Sequence, residues 1–525
     1  MTPSSARGWP VMALLGALGF AMATQVALAM GYGDAPLATR DGWTTALILW
    51  MSLTVSGVAV TGAVWAMRDK PLARGTSLAI ALAGILMRIP YFGAGSMLED
   101  DHFRYLLDGA MVARGLDPYA FAPEALLRGA PGVPRDLIVD GGSTIVAINF
   151  PALRSIYPGG AQALFALAHL AAPWSIDGLR LVIFAMEGLT AILVWRLLTI
   201  SGHSPVATAI YWCNPLMAFC VTGQAHVDAA LGPPILVALL ATHRRAGALA
   251  GLALGLAVGV KLWPILLAPL LARALGSGWR RLASFALALG GTTLALCAPL
   301  LVASLGADAG LVAYASGWSV NNAPYAWASL GFRLLLGPAA GEGTLRMLVV
   351  IAAAGISVAM AARRPTDLGD MVLRASMVAT FLFYLSPAQF PWYAAWFLPM
   401  AAASAAWIPA MSAIGLPVYY LFFPLAASGE TEHPHEPPGM QDRRRHSDAE
   451  RSGRAPRRPR CDARFRRRGR DRRFSFDGWN AGDRPTTWRD RRRRSQARLW
   501  QRLPRRDRRI ATCGHPRLRR WRCRG

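Results

Sequence analysis

Apolar runs of about twenty residues recur along the first 429 positions of this chain. A helix of that length crosses a hydrocarbon core of about 30 Å. The pattern therefore predicts an all-α fold, a polytopic transmembrane helical bundle of about 10–12 spans. The candidate spans lie at 11–30, 45–67, 76–94, 179–199, 205–222, 228–242, 283–303, 344–362, 370–386, 392–407 and 409–427.

Two further apolar runs do not fit a single crossing. The run 159–172 is short for a span, and we interpret it as re-entrant or interfacial. The run 247–272 is too long and holds Lys261 and Pro264 near its middle. Proline interrupts helices, so we expect a broken hairpin there. At the helical rise, about fifteen residues carry Lys261 roughly 22 Å across the membrane.

Basic residues set the expected orientation, because cytoplasmic loops collect Lys and Arg. Arg7 precedes the first candidate span, and three basic residues lie at 68–74, between the second and the third. A cytoplasmic N-terminus satisfies both positions. The third span then leads outward into a long first extracytoplasmic loop, from Leu98 to about Tyr157, which we expect to carry short helices. The first run, 11–30, also has features of a signal peptide, although it is longer than an ordinary signal core.

The first loop opens with an unusual concentration of charge, in the stretch LEDDHFRYLLDGAMVARGLDPY. Asp101, Arg104, Tyr105 and Asp108 are spaced i, i+3, i+4 and i+7, which puts them on one face of a helix. Structural interpretations are also open: Glu99 and Asp100 cap a helix N-terminus, and Asp108 pairs with Arg104.

With this topology, unusual polar residues gather on the extracytoplasmic side. Ionisable groups at membrane depth cost on the order of 3 kcal/mol each, so they are functional candidates. Structural alternatives are that Asp228 merely holds His226, that Lys261 snorkels, and that Trp392 and Tyr393 form an aromatic belt. The residues that gather are Glu99, Asp100, Asp101, Arg104, Asp108, His226, Asp228, Lys261, Asn321, Asn322, Gln389, Trp392 and Tyr393.

This set suits transfer of a group from a membrane-embedded phosphate donor. Asp100 or Asp101 can act as general base on an acceptor hydroxyl. Lys261 and Arg104 can stabilise the departing phosphate. The two carboxylates can also hold Mg²⁺ or Mn²⁺, which prefer oxygen ligands. No Gly-rich phosphate loop occurs, which argues against a soluble nucleotide-sugar donor.

Charge separates the chain into two unlike parts, 1–429 and 430–525. The whole chain has a net charge of +26, but the last 96 residues carry +20 of it, with 32 Arg and no Lys. The charge therefore does not indicate nucleic-acid binding by the membrane part. We interpret 430–525 as an Arg-rich disordered tail or as the product of a frameshift in a GC-rich coding sequence. The six cysteines show no disulfide or zinc spacing.

The first loop also carries a family resemblance. LEDDHFRYLLDGAMVARGLDPYAFAP resembles the first extracytoplasmic loop of polytopic GT-C glycosyltransferases, especially bacterial mannosyltransferases that use polyprenol-phosphate sugars. The resemblance covers roughly residues 80–400. Phe150 and Phe390 stand where that family often has histidine. Segments similar to the family follow in order: INFPALRSIYPGGAQALF, CNPLMAFCVTGQAHVDA, VKLWPILLAPLL and SPAQFPWYAAWFLP.

The resemblance implies inverting transfer of a sugar from a polyprenyl-phosphate donor to a glycan or lipid acceptor. The leading candidate for the sugar is mannose. The reaction would occur at the outer face of a bacterial inner membrane, with Asp100 or Asp101 as base. The rival hypotheses are a transporter or flippase for a lipid-linked or polar solute, and an inactive frameshifted remnant. The residues expected to bind the donor phosphate and the substrates are Arg104, Tyr105, Lys261, His226, Asp228, Asn321, Trp392 and Tyr393.

Overall fold

The computed structural model describes five stretches of the chain: 42–70, 73–95, 98–306, 309–320 and 322–422. The predicted span 11–30, the candidate Asn321 and the tail 430–525 lie outside the described residues. The chain divides into two units, Met1–Pro438 and Gly439–Gly525, and every described residue belongs to the first.

The regular secondary structure of the described residues is helical, which confirms the all-α prediction. They contain no strand, and only one isolated parallel bridge joins Val320 to Ala388. The α-helices are α1 (Trp43–Met67), α2 (Arg74–Leu86), α3 (Asp101–Ala113), α4 (Pro123–Leu127), α5 (Arg135–Val146), α6 (Gly159–Ala171), α7 (Ile176–Ile200), α8 (Ala209–Trp212), α9 (Gly232–His243), α10 (Gly247–Val258), α11 (Ala268–Leu275), α12 (Trp279–Ala303), α13 (Gly310–Gly317), α14 (Ala323–Leu336), α15 (Pro338–Ala361), α16 (Leu368–Leu385), α17 (Leu398–Ala403) and α18 (Trp407–Ser412). A π-helical turn at Met217–Gly223 and several 3-10 turns connect them: Ile89–Tyr91, Pro205–Thr208, Val227–Leu231, Trp263–Leu267, Pro391–Trp396 and Ala413–Leu421.

Within the described ranges, five helices are long and apolar enough to cross a membrane: α1, α7, α12, α15 and α16. A sixth candidate is the pair Pro205–Trp212 and Met217–Gly223, which is bent by 57°. These helices confirm a polytopic membrane protein. Of the other predicted spans, 228–242 and 409–427 are present as the shorter apolar helices Val227–His243 and Trp407–Leu421. The run interpreted as re-entrant, 159–172, and the broken run 247–272 form the short helices Gly159–Ala171, Gly247–Val258 and Trp263–Leu275.

The bend in the predicted span 205–222 has a local cause. Asn214 and Pro215 interrupt the helix, and proline cannot donate a backbone hydrogen bond. The Oδ1 atom of Asn214 accepts hydrogen bonds from the backbone amides of Leu216, at 3.0 Å, and Met217, at 3.3 Å. Asn214 thus caps the next helical turn, so that the break leaves fewer amides unsatisfied.

The predicted break of the run 247–272 at Lys261 is confirmed. Helix α10 ends at Val258 and the next helical turn begins at Trp263, with Pro264 in its first positions. The helix α10 packs closely on α12, because small residues recur along its contact face. A Cβ atom on Gly251 would lie 2.2 Å from the carbonyl oxygen of Phe285. Small residues at such spacing let membrane helices approach each other.

The stretch between the predicted spans 283–303 and 344–362 holds two helices, α13 and α14. Helix α14 buries little of its own surface and packs mainly on α15. The hydroxyls of Tyr325 and Ser329 on α14 both donate to the carboxylate of Glu342 on α15, at 2.7 Å each. These polar contacts pair the two helices.

The predicted span 76–94 is shorter than expected, since α2 ends at Leu86. Pro90 follows within four residues, and the chain turns at Ile89–Tyr91. Arg88, at this turn, is fully buried. Its Nη1 atom donates to the carbonyl oxygens of Gly84 and Trp212, each at 2.8 Å.

The guanidinium of Arg88 also forms a two-point ion pair with Glu187 on α7. The Nε atom donates to Oε2 at 3.0 Å and Nη2 donates to Oε1 at 2.7 Å. The hydroxyl of Thr222 donates to the same carboxylate. Both charged side chains are 0 % exposed. This pair ties the end of α2 to the middle of α7.

We expect Glu187→Gln to destabilise the protein by about 3–5 kcal/mol, because it leaves the buried Arg88 charge without its counter-ion. The measurement is the thermal unfolding midpoint of the detergent-solubilised protein. Glu124→Gln is the matched control, because Glu124 pairs with Arg128 on an exposed helix turn. Exposed pairs contribute little. Equal midpoints for the two variants would contradict the prediction.

Candidate active site

A cavity of about 450 Å³ brings together segments that are far apart in the sequence. One wall is the start of α3 with the residues before it, and a second is the stretch 148–158. The break at 261–263, helices α13 and α15, and the stretch 386–396 complete the lining.

Six of the predicted site residues line this cavity, and three more lie directly behind its wall. Tyr105, His226 and Asp228 are buried at 1 %, 0 % and 1 % exposure and contact the lining residues. The candidate Asn321 lies outside the described residues. The lining residues are Asp100, Asp101, Arg104, Lys261, Trp392 and Tyr393.

The carboxylates of Asp100 and Asp101 face different partners, although they are neighbours in sequence. Asp100 occupies the N-cap position of α3, but its side chain makes no capping hydrogen bond. It accepts a hydrogen bond from the side-chain amide of Asn149 instead. Asp101 Oδ2 accepts from the hydroxyl of Tyr105 at 3.4 Å and lies 3.8 Å from Nδ1 of His226.

Both carboxyl groups have raised pKa values. Burial raises the pKa of Asp100 to about 7, and the charge of Asp101 adds to the rise. Burial likewise raises the pKa of Asp101 to about 6, while the positive charge of Lys261 lowers it and Asp228 raises it. The side chain of Asp101 is nonetheless 43 % exposed within the cavity. Groups with such pKa values can exchange protons near neutral pH.

The spacing along the helix left open that Asp108 pairs with Arg104. In the structure the two side chains do not hydrogen-bond to each other. Arg104 Nη2 donates to the carbonyl oxygens of Phe150 and Leu153, at 3.4 and 3.0 Å. Asp108 accepts from Ser155 Oγ at 2.5 Å and from Gln162 Nε2 at 3.0 Å. Both residues therefore hold the returning part of the first loop against α3.

Lys261 lies in the break after α10 and is paired with Asp228. The distance from Nζ to Oδ1 is 2.7 Å, and the indole nitrogen of Trp396 donates to the same oxygen at 2.6 Å. The ammonium group also lies 4.1 Å from the ring centre of Tyr393. Such cation–π contacts orient an ammonium group. The positive charge of Lys261 is thereby held at the cavity wall.

A stack of three aromatic rings lies next to Asp101, one of the two neighbouring carboxylates Asp100 and Asp101. Trp392 lies parallel to His226 with ring centres 3.8 Å apart, and parallel to Phe390 at 4.4 Å. The ring of Trp392 therefore separates the histidine from Phe390. Trp392 does not belong to an aromatic belt, because this residue is only 3 % exposed.

The structure also places residues at the cavity that sequence reasoning missed. Two were in segments already singled out: Tyr157, whose hydroxyl donates to Tyr105 at 3.2 Å, and Trp396, four residues after Trp392. Helical spacing within SPAQFPWYAAW was a signal for the latter. Tyr314, which shares a hydrogen bond of 2.6 Å with Tyr393, had no signal in the sequence.

The described residues contain no group of three or more His, Cys, Asp or Glu side chains placed to hold a metal ion. Asp100 and Asp101 offer two carboxylates, and Mg²⁺ is commonly bound by one or two carboxylates together with substrate phosphate and water. The expectation of Mg²⁺ or Mn²⁺ at these two residues stays a prediction, and no step below depends on it.

The model of Glycosyltransferase family 87 matches residues 156–387, somewhat less than half of the chain. The matched region includes His226, Asp228 and Lys261, and it begins after the acidic pair. No curated protein and no solved structure matches this chain. Together with the apolar helices, the family match supports a multi-pass membrane glycosyltransferase, which takes a sugar donor and an acceptor.

We expect Asp100→Asn to stabilise the protein more at about pH 8 than at about pH 5. Because the pKa of Asp100 is raised in the folded protein, ionising this group costs more there than in the unfolded chain. The stability contributed by the protonated form is thus lost as the pH rises through about 7. The measurement is the thermal midpoint at both pH values.

The control for this measurement is Asp136→Asn, an exposed carboxylate of the same loop that pairs with Arg114. The difference in thermal midpoint between this variant and the parent protein should not increase as the pH rises. A stabilisation by Asp100→Asn that is the same at both pH values would contradict the raised pKa.

Proposed function

We propose that this protein transfers a mannosyl group from a polyprenyl-phosphate donor to an acceptor hydroxyl, with inversion at the anomeric carbon. The observation that carries the proposal is a single cavity with two unlike sides. Carboxylates with raised pKa values and Lys261 line one side, and the apolar surface of a membrane-length helix lines the other.

The apolar side of the cavity supports a lipid-linked donor. Arg346, Val349 and Val350 of α15 line the cavity at i, i+3 and i+4, so they share one helix face. Val350 is 67 % exposed, on a helix that is long and apolar enough to cross a membrane. The cavity thus opens beside a surface that faces hydrocarbon when the helix is in a membrane. A prenyl chain can lie along that surface while its phosphate reaches the polar side.

Charge supports a position for the donor phosphate near Lys261. The ammonium group is held at the wall by Asp228 and the aromatic rings, which fixes a positive charge where a phosphate would depart. A fixed charge of this kind stabilises a leaving group without reorganisation. Arg104 also lines the cavity and stays a candidate for this role, because the carbonyl oxygens of Phe150 and Leu153 orient its guanidinium without neutralising its charge.

Of the two carboxylates, we propose Asp100 as the general base. In an inverting displacement the attacking hydroxyl and the leaving phosphate lie on opposite sides of the anomeric carbon. Asp101 lies 3.8 Å from His226 and accepts a hydrogen bond from Tyr105, whereas Asp100 accepts one from Asn149 of the returning loop. This difference supports Asp101 on the donor side and Asp100 on the acceptor side.

The proposed step balances without a further reactant. Asp100 takes the proton of the acceptor hydroxyl, and the acceptor oxygen forms a bond to the anomeric carbon. The bond from that carbon to the phosphate oxygen breaks, and polyprenyl phosphate leaves with the electron pair beside Lys261. Asp101 stays ionised and is held by Tyr105.

The sugar and the location rest on other support. Mannose follows from the resemblance of the first loop and not from a contact in the cavity. The extracytoplasmic side is expected from the distribution of basic residues around the predicted spans. The bacterial inner membrane, like mannose, is what the resemblance implies.

The donor is tested in membranes that contain the full chain, with radiolabelled polyprenyl-phosphate mannose, polyprenyl-phosphate glucose and a nucleotide-linked mannose. We expect label to reach a glycan or lipid acceptor from polyprenyl-phosphate mannose alone. Transfer only from the nucleotide sugar would refute the lipid donor. Movement of intact donor across the membrane without transfer would favour the transporter hypothesis. Activity lost with EDTA and restored by Mg²⁺ or Mn²⁺ would establish metal dependence.

The roles of the charged residues are tested by single substitutions in the same assay. We expect Asp100→Asn to lower kcat about 100-fold or more, which is typical for loss of a general base. Lys261→Met should have an effect of similar size.

Matched controls exist for both substitutions. Asp136→Asn removes an exposed carboxylate of the same loop, and Lys70→Met removes the only other lysine of the chain. Both should keep the parental rate. Full activity of Asp100→Asn in a protein that inserts normally would assign the base elsewhere.

A further inference from the structure

We infer that Phe150 and Trp318 form an aromatic subsite that binds the acceptor through the apolar face of a pyranose ring, so the acceptor is a carbohydrate. The inference rests on the proposed function, because it needs Asp100 to be the base that meets the acceptor. The two rings line the cavity, with centres 4.7 Å apart and planes at 65°. An edge-to-face pair of this kind leaves ring surface available to a ligand.

The backbone of Phe150 is strained in a way that a packing role alone does not require. Its φ angle is +51°, a region that residues other than glycine rarely adopt. It also precedes Pro151, which restricts the preceding residue further. Such strain persists only where the surrounding structure holds it, and it is concentrated at functional sites.

Several contacts hold Phe150 in this conformation. The carbonyl oxygen of Phe150 accepts from Arg104 and from the amide of Leu153, the latter at 3.0 Å. The preceding residue, Asn149, donates to Asp100, and the amide of Glu124 donates to the carbonyl oxygen of Pro151 at 2.8 Å. Phe150 is thus linked to Asp100, the proposed base, through the side chain of Asn149. This link fixes the position of the Phe150 ring relative to the Asp100 carboxylate.

The backbone around Trp318 is also held in place by neighbouring segments. Arg346 Nη2 donates to its carbonyl oxygen at 3.1 Å, and Val320 pairs with the stretch at Pro387 through a hydrogen bond of 2.9 Å. The indole ring is only partly buried. Two aromatic rings on supported backbone therefore face the same space.

The position of Phe150 favours the acceptor over the donor. Phe150 directly follows Asn149, whose side chain donates to Asp100, whereas the phosphate is expected at Lys261, which pairs with Asp228. The side chains of Asn149 and Arg154 also line this part of the cavity. Aromatic surface bordered by a few polar groups suits a sugar ring, which has an apolar face and hydroxyls at its rim. A peptide hydroxyl or a simple lipid alcohol lacks that face.

The decisive experiment compares Michaelis constants of the full chain for donor and acceptor. Phe150→Leu should raise the acceptor KM about tenfold, as expected for the loss of one aromatic contact, and leave the donor KM unchanged. Phe150→Tyr and Phe150→Trp should retain the parental acceptor KM. Phe121→Leu is the matched control, since Phe121 is half-buried near this loop but does not line the cavity.

Phe150→Gly separates binding from folding. Glycine adopts positive φ freely, so this variant should keep a thermal midpoint near that of the parent, while its acceptor KM rises as in Phe150→Leu. The acceptor probes are a methyl mannopyranoside, a serine-containing peptide and octanol, each offered with the same lipid-linked donor.

Three outcomes would overturn the inference: an unchanged acceptor KM in Phe150→Leu, an equal rise in the donor KM, or better use of octanol or the peptide than of the glycoside. Absence of transfer by the parent protein with every donor would instead overturn the proposed function itself. The two failures are therefore distinguishable in one set of assays.

Discussion

The ion pair between Lys261 and Asp228 joins the breaks around which the candidate site is built. Lys261 lies where α10 ends, Asp228 lies after the bent pair of helices, and Trp396, on a third irregular segment, donates to the same carboxylate. Backbone that leaves a helix inside a membrane needs polar partners, so breaks are tolerated where they line a cavity. The ion pair thus connects these segments and also holds the Lys261 ammonium group near the proposed phosphate position.

The environment of Asp100 and Asp101 lowers the stability of the fold and raises the reactivity of the carboxyl group. Enclosure in the cavity raises the pKa of Asp100 to about 7, which makes the carboxyl group more costly to ionise and a better proton acceptor. Asn149 supports that carboxylate from the loop side, and the strained Phe150 follows it directly. Residues that lower stability therefore lie next to one another at the one place where the proposed chemistry needs them.

Elsewhere the bundle is held by contacts that have no chemical role. The pair of Arg88 and Glu187 satisfies two charges inside the apolar core and joins α2 to α7. Glycines of α10 allow α12 to approach closely. These contacts position the breaks, and the breaks position the site residues.

The amino-acid sequence by itself determined the all-helical membrane bundle, the break at Lys261 and most members of the polar set, because hydropathy and charge act locally along the chain. It did not determine which carboxylate faces which partner, that Arg104 binds carbonyl oxygens, or that Tyr314 and Asn149 belong to the site. Those facts depend on contacts between segments far apart in the sequence, such as Asp101 with His226, 125 positions apart, and His226 with Trp392, 166 positions apart. Only the tertiary structure decided them, because side-chain hydrogen bonds depend on distances that no spacing within a single helix defines.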